Sequence, residues 1–149
     1  MGFEPASILL VEDEEAHARL TERAIRKAGN ANRIEVVTDG EQALDYLFHR
    51  GKYSDQSRYP RPGLVLLDIK LPGIDGIEVL KEIKADPVLR KIPVIMLTTS
   101  ENEQDIAASY CHYANSYLTK PVGFKEFEEK VRQIDFYWLL VNEPPTRVE

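Results

Sequence analysis

Cysteine is nearly absent. Cys111 is the only one in 149 residues, so no disulfide can close within the chain. That usage fits a reducing compartment. Long apolar runs are missing too. None approaches the roughly 20 residues of a membrane helix, so no membrane contact is expected. The first residues, Met1-Gly2-Phe3-Glu4-Pro5-Ala6, place no basic stretch before an apolar one, and Ala6 breaks the myristoylation pattern. Basic charge is in deficit: 19 Lys and Arg against 25 Asp and Glu leave a net charge of −6. Such a balance disfavours nonspecific attraction to nucleic acid, which needs basic patches. There is no internal repeat and no low-complexity tract. Together these absences point to a cytoplasmic globular protein with no nucleic-acid partner.

A length of 149 residues suits one compact domain. A chain this long buries about 68–70% of its unfolded surface, so it needs neither metal nor disulfide to fold. Five short apolar runs rich in β-branched residues lie at 7–11, 34–37, 63–67, 93–97 and 116–118. Runs this apolar predict strands covered on both faces. Helix-start signals follow four of them. Asp13 precedes a helix over 14–28 that Gly29 can close, and Asp39–Gln42, Asp75–Glu78 and Ser100–Glu103 have capping-box spacing. A last helix over 124 to about 141 carries one apolar stripe: Phe124, Phe127, Val131, Ile134, Trp138 and Val141. Phe136, Tyr137 and Leu139 lie off that stripe, an apolar excess that predicts a partner surface, such as a second copy of the chain.

Five strands alternating with five helices predict an α/β fold of one domain: a doubly wound parallel sheet of flavodoxin-like order 2-1-3-4-5. The domain is expected over 7–141, with an extension at 1–6 and an extended tail at 142–149. The connection 49–62, carrying Tyr53, Tyr59, Pro60 and Pro62, reads as an extended surface loop.

In that order strands one and three are neighbours. Glu12 and Asp13 follow strand one and Asp68 follows strand three, so three carboxylates converge at one edge of the sheet. Clustered like charges cost free energy unless they are neutralised. Mg²⁺ takes oxygen ligands and is usually held by one or two carboxylates plus phosphate. Taken singly, Asp13 reads equally well as a helix cap, Glu12 as a solvated charge and Asp68 as the start of the turn at Leu71-Pro72-Gly73. Their joint placement favours a site. Strand four ends at Thr98, and Lys120-Pro121 follows strand five, which adds a hydroxyl and an ammonium at the same edge. Phosphoryl transfer needs such positioning and charge compensation, and Asp is a known nucleophile for making acyl phosphates.

The stretches Ile8-Leu9-Leu10-Val11-Glu12-Asp13, Val65-Leu66-Leu67-Asp68-Ile69-Lys70-Leu71-Pro72-Gly73-Ile74-Asp75-Gly76, Ile95-Met96-Leu97-Thr98-Thr99-Ser100 and Tyr117-Leu118-Thr119-Lys120-Pro121 resemble the receiver domains of two-component response regulators. The resemblance implies a phosphoacceptor at Asp68 and a Mg²⁺ site in which Asp13 binds directly, Glu12 acts through water and the backbone carbonyl of Lys70 completes the protein ligands. It implies a switch hydroxyl at Thr98, a switch aromatic at Tyr117 and a phosphoryl-pairing lysine at Lys120. The implied partners are a histidine kinase and a downstream protein or phosphotransfer partner. Turnover of an external substrate is not implied. Residues 46–62, the run Leu97-Thr98-Thr99-Ser100 and the tail Phe136-Tyr137-Trp138 are similar to the stand-alone regulators that accompany bacterial phytochrome kinases, which often form homodimers. About thirty residues follow Lys120, too few for a DNA-binding domain beyond the last helix. A phosphatase of the haloacid-dehalogenase type would place a second Asp two residues after the first, where Lys70 stands. A pseudo-receiver would lack one of the chemical residues, and all are filled.

Overall fold

The computed structural model describes residues 7–27, 33–98, 116–119 and 129. Its strands are β1 (Ile8–Val11), β2 (Ile34–Val37), β3 (Leu64–Asp68), β4 (Val94–Thr98) and β5 (Ser116–Thr119), and its helices are α1 (Glu15–Lys27), α2 (Gly40–Leu47) and α3 (Gly76–Ala85). The strands form one parallel sheet in the order β2-β1-β3-β4-β5, as the sequence predicts. The helices expected after strands four and five, with Gly29 and the Ser100–Glu103 cap, lie outside the described residues.

Successive side chains of a strand point to opposite faces, and here both faces are covered. Leu9, Val11, Val65, Leu67, Val94 and Met96 join the core that includes Ala43 and Leu47 of α2 and Val79, Leu80 and Ile83 of α3. Ile8, Leu10, Leu64, Leu66, Ile95 and Leu97 join the opposite core with Ala18, Ala24 and Ile25 of α1. Each core strand therefore lacks a polar face, which is why these segments read as near-continuous apolar runs.

The caps explain where the helices begin. The Asp39 side chain accepts the Gln42 N–H at 2.8 Å, and Asp75 accepts the Glu78 N–H at 2.9 Å. Both leave an acceptor at a terminus whose backbone donors have no helical partner. The Gln42 amide donates to Thr38 Oγ1 and Asp39 Oδ2. Helix α1 starts one residue later than predicted.

The segment after α2 is more ordered than an extended loop. His49 adopts φ 57° at the end of α2. Its N–H donates to the Tyr46 carbonyl, and that of Arg50 donates to the Asp45 carbonyl. This is the Schellman pattern with His where Gly is usual. The His49 ring bonds the Tyr59 carbonyl through Nε2 at 2.8 Å, which offsets the strained backbone. One turn of 3-10 helix follows at Gly51–Tyr53. The rings of Tyr46, Tyr53 and Tyr59 pack as a trio, tilted or edge to face, with centroids 5.0–5.8 Å apart, and the Tyr46 hydroxyl donates to the Pro60 carbonyl. The rings anchor the loop to the core shared with α2 and α3, Tyr46 and Tyr53 within it and Tyr59 packed against it.

Burial, with the Glu35 charge second, pushes the Tyr46 phenol up to about 12 from 10.0. Between those values the unfolded chain loses a proton that the folded chain keeps. Stability is therefore intact below pH 10 and falls as pH rises toward 12. Urea unfolding is expected to show this loss in the wild type and a smaller one in Tyr46→Phe. Parallel declines in both proteins would refute the assignment.

Candidate functional site

The carboxyl edge of the sheet gathers the acidic residues. Val11 and Leu67 are partners in the β1–β3 register, so the residues that follow, Glu12 and Asp68, come level at the same edge. Carboxylate oxygens of Glu12, Asp13 and Asp68 lie within 4.8 Å of one another. Glu12 is 1% exposed and Asp68 4%, whereas Asp13 is exposed. The expected convergence is thus present, with two buried carboxylates below one that faces solvent. The Glu14 N–H donates to Glu12 Oε2 at 3.2 Å. His17 Nδ1 lies 3.3 Å from Glu14 Oε1 and 4.0 Å from Glu12 Oε2.

The donor set is entirely hard oxygen, partly buried and open on one side. Such a set fits a divalent cation that keeps some of its waters and suits neither zinc nor copper, which favour nitrogen and sulfur. Bringing three carboxylates this close without a cation works against folding, so the geometry and the electrostatics favour the same ligand class.

The turn after β3 is built around close approach. Ile69 N–H donates to the Leu97 carbonyl at 3.1 Å, and Gly76 N–H donates back to the Ile69 carbonyl at 2.8 Å. A Cβ on Gly76 would overlap the Asp68 carbonyl oxygen and sit 2.8 Å from Ile69 Cα. Only a residue without a side chain lets the start of α3 press against the end of β3. Gly73, at φ 72°, reverses the chain between them. Lys70 lies exposed on this turn.

Thr98 is the last residue of β4 and pairs in register with Thr119, one step beyond the Asp68–Leu97 pair. It stands at the same edge, on the strand next to Asp68. Tyr117 of β5 is level with Met96 of β4. Lys120, Phe136, Tyr137 and Trp138 lie outside the described residues. Two contributors escaped the sequence reading. Gly76 was only one residue of a motif there, and His17 was one polar position on α1. The i,i+3 spacing of Glu14 and His17 was the available signal for the latter.

The response regulator receiver domain family matches residues 8–132. The chain is 46% identical over 143 residues to the probable methanogenesis regulatory protein FilR2 of Methanothrix harundinacea, covering 95% of this chain and 89% of that protein. It is 43% identical over 135 residues to response regulator Rcp1 of Synechocystis, covering 91% and 90%. The Mn(2+)-bound crystal structure of Rcp1 superposes with a TM-score of 0.80 at 42% identity, over 95% of this chain and 99% of that one. The phosphorylated cyanobacterial phytochrome response regulator RcpA gives a TM-score of 0.81 at 41% identity, over 91% and 94%. Matched from Ile8 through every described strand and across the acidic edge, this chain belongs to the response regulator receiver domain family.

Proposed function

We propose that the protein is a cytoplasmic, single-domain phosphorylation switch in which Asp68 takes a phosphoryl group from a histidine kinase. The Asp68 carboxylate attacks phosphorus, a P–O bond forms, the P–N bond of the phosphohistidine breaks, and the imidazole leaves. Asp13, Asp68 and the Lys70 carbonyl would hold Mg²⁺, with Glu12 acting through water. Bound there, the ion would supply positive charge to offset the phosphoryl oxygens beside three carboxylates. Lys120 pairs with the phosphoryl group, Thr98 donates a hydroxyl to it, and Tyr117 follows the Thr98 movement. The added charge of about −1.5 to −2 shifts the population toward the switched form, which a downstream protein or phosphotransfer partner reads. The protein acts on its own phosphorylation and dephosphorylation only. A relative solved with Mn(2+) and another solved phosphorylated support this reading.

The observation that carries it is the meeting of Glu12, Asp13 and Asp68 within 4.8 Å at adjacent strand ends. Acetyl phosphate with Mg²⁺ tests it. Mass spectrometry is expected to show one added phosphoryl group on the wild type and none on Asp68→Asn. Equal labelling of the two proteins, or none of either, refutes the role of Asp68. The proposal includes a homodimer seated on Phe136, Tyr137 and Trp138. Light scattering reads this part: Phe136→Ser/Trp138→Ser is expected to halve the mass, and an unchanged mass removes that surface.

A further inference from the structure

The segment from 48 to 62 concentrates positive charge in an acidic protein. It carries Arg50, Lys52, Arg58 and Arg61 against a single carboxylate, Asp55, while the whole chain has a net charge of −6. These cations are not loosely tethered. Arg50 lies over the Phe48 ring at 5.0 Å, Lys52 over Tyr53 at 5.2 Å and Arg58 over Tyr59 at 5.6 Å. Tyr53 and Tyr59 belong to the tyrosine trio and meet edge to face, so the charges rest on rings that are themselves held. Such stacking occupies the face of a guanidinium and leaves its N–H edge for a carboxylate.

The local acids are already engaged. Asp45 pairs with Arg50 at 3.4 Å. Asp55 accepts the Ser57 hydroxyl and the backbone N–H groups of Ser57 and Arg58. These bonds, the Ser57 hydroxyl first, hold its carboxyl below the usual carboxylate range. Among the described residues no carboxylate lies within ion-pair distance of Lys52 or Arg58; the Arg58 charge acts on the Asp55 carboxyl from further off, and both cations are exposed.

The position is equally informative. The Gly63 N–H donates to the Ser7 carbonyl at 2.9 Å, which ties the end of the loop to the start of β1. The cationic face therefore lies at the amino edge of the sheet, on the order of 15 Å from the carboxylates at the other end of β1 and β3. A partner can occupy it while the carboxyl edge stays open.

We propose that Lys52 and Arg58, backed by Tyr53 and Tyr59 and flanked by Arg61, dock an acidic segment of a partner protein. A short acidic segment meets only this face. An extended polyanion such as nucleic acid also meets the acidic surface within a Debye length of about 8–10 Å, which opposes its binding. The proposal does not depend on phosphorylation of Asp68.

Titration of the full-length protein with a labelled oligo-glutamate peptide at low salt tests it. The wild type is expected to bind, with affinity falling as salt rises and with the ring-proton resonances of Tyr53 and Tyr59 shifting in NMR spectra. Lys52→Gln/Arg58→Gln is expected to weaken binding roughly tenfold, and Lys81→Gln/Lys91→Gln, which removes equal charge elsewhere, less than about twofold. The proposal is overturned by no peptide binding to the wild type, by equal loss in the two double variants, by tyrosine resonances that do not move, or by tighter binding of a single-stranded oligonucleotide. Salt-sensitive self-association that displaces the peptide assigns the face to a second copy and overturns the proposed partner.

Discussion

Gly76→Ala is expected to destabilise the protein by about 2 kcal/mol and to weaken divalent-cation binding. Helix propensity alone predicts the opposite sign, because Ala in a helix is favoured over Gly by about 1 kcal/mol. The added methyl group has no room. It overlaps the Asp68 carbonyl oxygen and lies 2.8 Å from Ile69 Cα, both backbone atoms that no rotamer change can move. Relief requires α3 to withdraw from β3, which breaks the 2.8 Å bond from Gly76 N–H to the Ile69 carbonyl and disturbs the packing of Val79, Leu80 and Ile83. Overpacking of this kind typically costs 1–3 kcal/mol. The same withdrawal moves the Asp68 backbone, so the carboxylates lose their spacing. Urea unfolding with and without Mg²⁺ measures both effects. A variant as stable as the wild type or more so, with unchanged Mg²⁺ response, would show that the end of β3 yields easily.

Asp13→Asn is expected to have opposite effects with and without metal. Among the three carboxylates Asp13 is the exposed one, so its removal leaves Glu12 and Asp68 buried as before. Without cations, one negative charge fewer within 4.8 Å of two others relieves repulsion by about 1 kcal/mol at most, or about 2–4 °C in melting temperature at this size. With Mg²⁺ or Mn²⁺ present the order reverses, because the variant has lost an anionic ligand and binds at least about tenfold more weakly. Thermal melts across a metal titration would show the two curves crossing. If Asp13→Asn is less stable without metal and gains as much from Mg²⁺ as the wild type, Asp13 is a structural cap and not a ligand.

Which parts of this protein could be read from its residue order depended on how local the causes are. Strands β1, β3 and β4 were legible because each is apolar on both faces, a property of four or five consecutive residues. The starts of α2 and α3 were legible because Asp39 and Asp75 satisfy donors three residues away. The sheet order followed from alternating strands and helices, and with it came the convergence of Glu12, Asp13 and Asp68, since the order alone makes β1 and β3 neighbours.

Other features depend on contacts that no local pattern encodes. Glu12 and Asp13 are adjacent and chemically alike, yet one is buried and the other exposed. Glu12 is still held to the neighbouring strand, its N–H donating to the Val37 carbonyl, whereas Asp13 lies in the bend before α1. The segment 49–62 looked like an extended loop because its order comes from rings far apart in the chain, with Tyr46 meeting Tyr59 and bonding the Pro60 carbonyl. Gly76 looked like one glycine of a motif because its constraint is the Asp68 backbone, brought against it only after the chain reverses at Gly73. Alternating burial, caps and strand order act over a few residues and can be read in the chain. Clearance between backbones, and the depth at which a charge comes to rest, exist only once separate segments have packed.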